Sequence, residues 1–167
     1  MTRVSPPILQ VVGYKNSGKT TLLCQLIHYA AKRGIRVGTV KHDGHDYEID
    51  HRGTDTWRHR TAGAEVVAIT SRTQTTLMKR EPMSLPRIIS HMTEMDLILV
   101  EGFKQAPFPK VVCLRREQDA SLLDSLSHVI AIVTWFPFTH PTIPTRSIHD
   151  DPAELARTLY LMIGVEA

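Results

Sequence analysis

Short apolar runs alternate along the chain with stretches whose apolar residues recur every three or four positions. "ILQVV" (8–12) is short and β-branched, ends at Gly13, and predicts a buried strand. From Lys19, apolar residues fall at Leu22, Leu23, Leu26, Ile27 and Ala30, a helical spacing, and Gly34 stands where a helix stop belongs. "IRVGTVKH" (35–42) predicts a second strand. Residues 54–64 predict a short helix with Thr54 as N-cap. "EVVAITS" (65–71) and "QTTLMKR" (74–80) are strand candidates joined by a short polar link. Residues 85–95 predict a helix, "DLILVEG" (96–102) a buried strand, and "KVVCLRR" (110–116) another. A short helix over 119–127, a strand over 128–134, a proline-rich surface loop over 135–144 and a helix over 151–164, with Pro152 in its first turn, complete the pattern.

Strands alternating with helices predict an α/β domain whose mostly parallel sheet is covered on both faces. "QTTLMKR" and "KVVCLRR" are candidates for antiparallel members, so the sheet is expected to be mixed. No linker or repeat interrupts the 167 residues, which are read as one domain over 1–167.

Composition changes this picture little. Apolar residues make up 42% and charged residues 22%, ordinary for a globular chain. The net charge of +3 is scattered rather than striped, so no nucleic-acid partner is expected. No run approaches the ~18 apolar residues of a membrane span, and "MTRVSPPILQVV" is too short in its apolar part for a secretory leader. Cys24 and Cys113 form no C-x-x-C pair and read as two buried thiols of a reducing compartment, which predicts a cytoplasmic protein.

The chemistry begins at "GYKNSGKT" (13–20), where Gly13, Gly18, Lys19 and Thr20 match G-x-x-x-x-G-K-[ST] between a strand and a helix. Glycines let the backbone fold into a nest of N–H groups, with Asn16 and Ser17 inside it, and the helix adds its positive end. Lys19 supplies a charge for β- and γ-phosphates, and Thr20 a hydroxyl for Mg²⁺. Such a P-loop sharpens the fold class to a P-loop NTPase three-layer sandwich. Glu101, closing "DLILVEG", is the candidate carboxylate for the Mg²⁺ shell. Between the second strand and the next helix, "KHDGHDYEIDHRGTDTW" (41–57) offers Lys41 as a catalytic lysine. It also offers Asp50 or Asp55 as a Mg²⁺-linked or water-positioning carboxylate. A loop this long is more often functional or mobile than inert.

"GYKNSGKTTL", "KHDGHDYEID", "GTDTWRHRTAGA" and "LVEGFK" resemble, over about residues 8–134, the MobB family of molybdopterin-guanine dinucleotide biosynthesis adapter proteins. The resemblance implies a homodimeric GTP-binding protein of the SIMIBI class of P-loop NTPases. Such a protein hydrolyses GTP slowly and assists the MobA-like nucleotidyltransferase that joins GMP to molybdopterin. It implies phosphate contacts from Gly13, Gly18, Lys19, Thr20 and Thr21, and Mg²⁺ contacts from Glu101 with Asp50 or Asp55. Lys41 and Lys104 would lie near the phosphates or a substrate anion. "HRGTD" (51–55) departs from the Pro-Gly-Lys-Asp type stretch of the family, with Arg52 for the proline and Thr54 for the lysine. Lys15 stands one position off the register of the class's signature lysine, so that role is not carried over.

Guanine preference is not readable from the residues, because no N-K-x-D motif occurs; it comes from the resemblance. Trp135, Phe136 and Phe138 are candidates for base stacking, for a dimer seam, or for pinning their loop to the core. Nine histidines, with His42, His45, His51 and His59 in one region, keep a nickel-type metallochaperone GTPase as an alternative. An ATP-dependent ligase like dethiobiotin synthetase is the other.

Overall fold

The computed structural model describes residues 5–166. The first four residues of the stretch read for a leader therefore lie outside it. The elements in chain order are β1 (Ile8–Gly13), α1 (Lys19–Ala31), β2 (Val37–Lys41), α2 (Asp55–Thr61), β3 (Val66–Thr70), β4 (Thr75–Lys79), α3 (Leu85–Ser90), β5 (Leu97–Glu101), β6 (Lys110–Leu114), β7 (Val129–Thr134), β8 (Thr145–Ser147) and α4 (Pro152–Leu161). The residues divide into two compact units: the N-terminal part to His42 with Ile88 onward, and Asp43–Arg87.

The first unit is built on a six-stranded sheet in the order β2-β5-β1-β6-β7-β8. All five pairings are parallel. Its central strands β1, β5 and β6 are buried nearly throughout, as their unbroken apolar runs require. One face packs Leu9, Val11, Leu99 and Val111 against Leu22 and Leu26 of α1 and Leu155, Leu159 and Tyr160 of α4. Tyr160 donates its hydroxyl to the Leu26 carbonyl at 2.6 Å, which ties the two helices. The other face packs Val12, Val112 and Ile132 under Leu122, Phe136 and Phe138. Asp151 caps α4 by accepting from the Ala153 and Glu154 amides, with Pro152 in the first turn.

Several expectations need correction. "KVVCLRR" is not antiparallel: β6 runs parallel to both β1 and β7. The chain returns from β5 to β6 through the eight residues 102–109 without a helix, a linker that reads as a hairpin. At ~3.3 Å per residue it is long enough to run back along a five-residue strand. Gln10 Nε2 holds that return by donating to the Gly102 and Phe103 carbonyls, both at 2.9 Å. The buried Lys110 ammonium holds it by donating to the Ala106 and Phe108 carbonyls.

The helix over 85–95 stops at Ser90, where the bonds of His91 and Met92 turn to carbonyls three residues back. The 119–127 helix is a 3₁₀ segment, Glu117–Ser125. Strand β8 follows the proline-rich loop and escaped the pattern because it is three residues long. Cys24 is exposed rather than buried. At 100° per residue it lies opposite the Leu22–Leu26–Tyr29 stripe that α1 buries.

The second unit holds α2 and the antiparallel hairpin β3–β4, which forms a sheet of its own. The antiparallel pairing expected of "QTTLMKR" is therefore outside the central sheet. Thr54 caps α2 as expected, accepting from the Trp57 amide at 3.2 Å.

Candidate nucleotide-binding site

The loop 13–20 leaves β1 at the carboxyl edge of the parallel sheet, where open α/β sheets take their ligands. Asn16 (φ 61°) and Gly18 (φ 91°) both adopt left-handed backbone, which turns successive N–H groups inward. A Cβ on Gly13 would stand 2.7 Å from the Cys113 carbonyl of the neighbouring strand, so only glycine fits there. α1 starts from Gly18 with no side-chain cap among the described residues and no acid in its first turn. Its first amides and its positive end are thus left for an anion.

Three side chains complete this end. Lys19 donates to the Tyr14 carbonyl across the loop at 2.7 Å. Burial holds its ammonium below the ordinary lysine range. The charge of Glu101 opposes that shift, and Lys104 and Lys41 add to it. The Thr20 hydroxyl lies 3.2 Å from both oxygens of the buried Glu101 carboxylate. Glu101 ends β5 beside Lys41, which ends β2 in register with it. Lys104 covers the Tyr14 ring at 4.5 Å. Thr21 is exposed in the first turn of α1. The Ser17 hydroxyl is buried with no hydrogen-bond partner among the described residues. An orphaned donor inside such a loop suits a phosphate oxygen, and the Thr20–Glu101 pair is an oxygen donor set that suits Mg²⁺.

Asp50 and Asp55 belong to the second unit. Asp50 Oδ1 accepts from the His51 amide (3.0 Å), Thr54 Oγ1 (2.8 Å) and Thr56 Oγ1 (3.0 Å), and Oδ2 faces Arg60 Nε at 3.6 Å. Burial pushes this carboxyl up, but the hydrogen bonds and Arg60 outweigh it and hold it below the usual range. Oδ1 is thus engaged by its own loop and the start of α2, while Oδ2 has the Arg60 ion pair and no hydrogen bond among the described residues. Asp55 sits exposed in the first turn of α2, with Arg58 at 3.9 Å. Among the described residues no group of three or more His, Cys, Asp or Glu is placed to hold a metal, including the region of His42, His45, His51 and His59.

Motif spacing singled out the loop with Lys19 and Thr20, and the end of an apolar run singled out Glu101; the structure brings Thr20 and Glu101 together. Neither signal assigned Trp135 to the loop, from which it is remote in the chain. The Trp135 indole donates to the Ser17 carbonyl at 2.9 Å. A Cβ on Gly18 would lie 2.8 Å from its ring. The same ring walls a cavity of about 350 Å³ at the carboxyl ends of β7 and β8, with Phe136, Phe138, Arg146 and His149. Phe136 and Phe138 also pin their loop to the core, as one of the sequence readings held.

A phosphate loop at the carboxyl edge of a parallel sheet, with a hydroxyl and a carboxylate beneath it, defines a P-loop nucleotide-binding protein. The family model described as Molybdopterin guanine dinucleotide synthesis protein B (MobB) matches residues 8–135. The chain belongs to that family. A probable molybdopterin-guanine dinucleotide biosynthesis adapter protein of Bacillus subtilis is 41% identical over 138 residues, 80% of this chain and 79% of the relative. The adapter protein of Haemophilus influenzae is 38% identical over 135 residues, 78% of this chain and 76% of the relative. The crystal structure of Bacillus subtilis MobB superposes with a TM-score of 0.80 at 36% identity, covering 96% of this chain and 99% of the other.

Proposed function

We propose that this MobB-family protein is a GTP-binding adapter of molybdopterin-guanine dinucleotide biosynthesis that assists a MobA-like nucleotidyltransferase in joining GMP to molybdopterin. Three relatives that carry the adapter name match it over 79%, 76% and 79% of their length. The observation that carries the nucleotide role is the contact of Thr20 with Glu101 directly under the Gly13–Thr20 loop. The amides of Asn16, Gly18, Lys19 and Thr20, the Ser17 hydroxyl and the Lys19 ammonium would bind the phosphate oxygens, and Thr21 would border them; the Ser17 amide is taken by the Tyr14 carbonyl. Thr20 and Glu101 would hold Mg²⁺, which when bound neutralises charge on the phosphates. Lys19, with Lys41 and Lys104 nearby, would stabilise the charge that spreads over a transferred γ-phosphoryl group. With Asp50 held by Thr54, Thr56 and Arg60 of its own unit, turnover is expected to fall below the usual enzyme range of ~1–10³ s⁻¹. The aromatic cavity beside Trp135 supports a seat for the base. The free thiols of Cys24 and Cys113 support a cytoplasmic setting.

The test is calorimetric titration with GTP and with ATP, each with Mg²⁺. GTP should bind clearly tighter, and Lys19→Ala should lose most of that affinity while staying folded. Equal or better binding of ATP would remove the guanine assignment, and full affinity in Lys19→Ala would remove the phosphate assignment. We also propose a homodimer, for which the second unit supplies the reason. Among Asp43–Arg87 only Val67 and Leu85 are buried, while Val66, Ala68 and Leu77 line one exposed face of the hairpin.

A further inference from the structure

The carbonyl of Ser17 and the N–H of Gly18 belong to one peptide unit. In a trans peptide these two groups point in opposite directions, and no cis bond occurs among the described residues. Whatever fixes the Ser17 carbonyl outward therefore aims the Gly18 N–H the other way. The group that fixes it is the indole N–H of Trp135, at 2.9 Å.

This indole is itself held from several sides. Its backbone amide donates to the Leu114 carbonyl at 3.2 Å, which ties the residue to the end of β6. The Arg115 guanidinium lies over the ring at 4.0 Å. His149, just beyond β8, meets it edge-on with centroids 5.4 Å apart. The last side is Gly18, where any side chain would collide with the ring. Residues from the ends of three strands thus hold one donor against one carbonyl of the phosphate loop.

We propose that Trp135 is a positioning residue for phosphate binding: its indole N–H holds the Ser17 carbonyl outward and thereby aims the Gly18 N–H into the loop. It acts through the loop backbone and touches no phosphate. The motif glycine is then required on two counts, for its left-handed backbone and for room against the indole. The role rests on the phosphate-binding reading above.

The test substitutes Trp135→Phe, which keeps an aromatic ring against Gly18 and removes the donor. Inorganic tripolyphosphate is the probe, since it reports on the phosphate loop without a base. Losing one hydrogen bond of ordinary strength predicts binding weakened by about 3- to 10-fold, alongside a small fall in thermal midpoint because the bond is part of the fold itself. A merely structural tryptophan would lower the midpoint and leave the affinity of the folded protein unchanged, and that result overturns the proposal. Should the variant not fold, the Trp57→Phe protein decides, because Trp57 and Trp135 are the chain's two tryptophans. Saturating tripolyphosphate should then change Trp135 emission, and an unchanged spectrum overturns the role. Parent protein that binds no tripolyphosphate would fail the phosphate reading itself and this role with it. That failure is distinct from a parent that binds and a Trp135→Phe variant that binds equally well.

Discussion

Cys113 sits near the end of β6 with its thiol buried and pushed up to about 12, while Cys24 faces solvent on α1. Burial is the main cause of the Cys113 shift; Lys19 opposes it and Glu101 adds to it. Alkylation proceeds through the thiolate. Native protein treated with iodoacetamide near pH 8 should therefore carry one adduct, on Cys24, and gain a second on Cys113 only in denaturant. Two adducts on the native fold, read by peptide mass spectrometry, would contradict this burial. The loop was legible in the sequence because its motif is contiguous: Gly13, Gly18, Lys19 and Thr20 are read from spacing within eight residues. Glu101 was legible because it ends an apolar run, and strand ends of such sheets meet at the ligand edge. Cys24 was misread because cysteines are mostly buried, although the helical stripe beside it already placed it on the far face. Trp135 was legible as an aromatic but not as a loop brace. Its partner Ser17 lies 118 residues away, and no local pattern encodes such a contact.

The return from β5 to β6 shows why some connections between elements escape a pattern-based reading. Hydropathy marks the strands, but the direction of β6 depends on whether residues 102–109 turn back at once or run the length of the sheet. Lys110, fully buried, helps decide it, since its ammonium meets two carbonyls of that return. Lys110→Met should leave those carbonyls without a donor and destabilise the protein by about 1–3 kcal/mol. Urea denaturation would register this as a lower midpoint at unchanged slope. The difference should also depend on pH. Burial lowers the Lys110 pKa below its ordinary 10.5, so the unfolded chain binds this proton more tightly than the folded one. The cost is full below the folded-state pKa and is relieved as pH rises through it towards 10.5. The parent should therefore gain stability relative to Lys110→Met on the alkaline side, and a pH-independent difference would count against a buried charged lysine. The hairpin β3–β4 presents the opposite case. Both strands were legible, but their membership of a separate sheet was not, because partner choice is set by tertiary packing rather than by strand propensity.

At the scale of the whole molecule the two units are stabilised to very different degrees. The first carries a parallel sheet with apolar packing on both faces. The second, Asp43–Arg87, has a single antiparallel hairpin and two buried apolar side chains. An isolated two-stranded hairpin is marginal in water at best, and a chain segment this short seldom builds a sufficient core alone. Yet one face of the hairpin sets exposed Ala68 directly opposite Leu77, which is 62% exposed, with Val66, 48% exposed, next along β3. Apolar side chains grouped on one sheet face are what a second copy would cover, and covering them would supply the burial the unit lacks. Light scattering on a sizing column should then give twice the 18.8 kDa chain mass. Leu77→Asp puts a charge on that face and changes no residue of the phosphate loop. It should shift the protein towards monomer and speed proteolysis between residues 43 and 87. A parent protein that stays monomeric at every concentration would remove the homodimer, and a Leu77→Asp variant as dimeric as the parent would place the dimer contact elsewhere. The second unit would then need another source of stability.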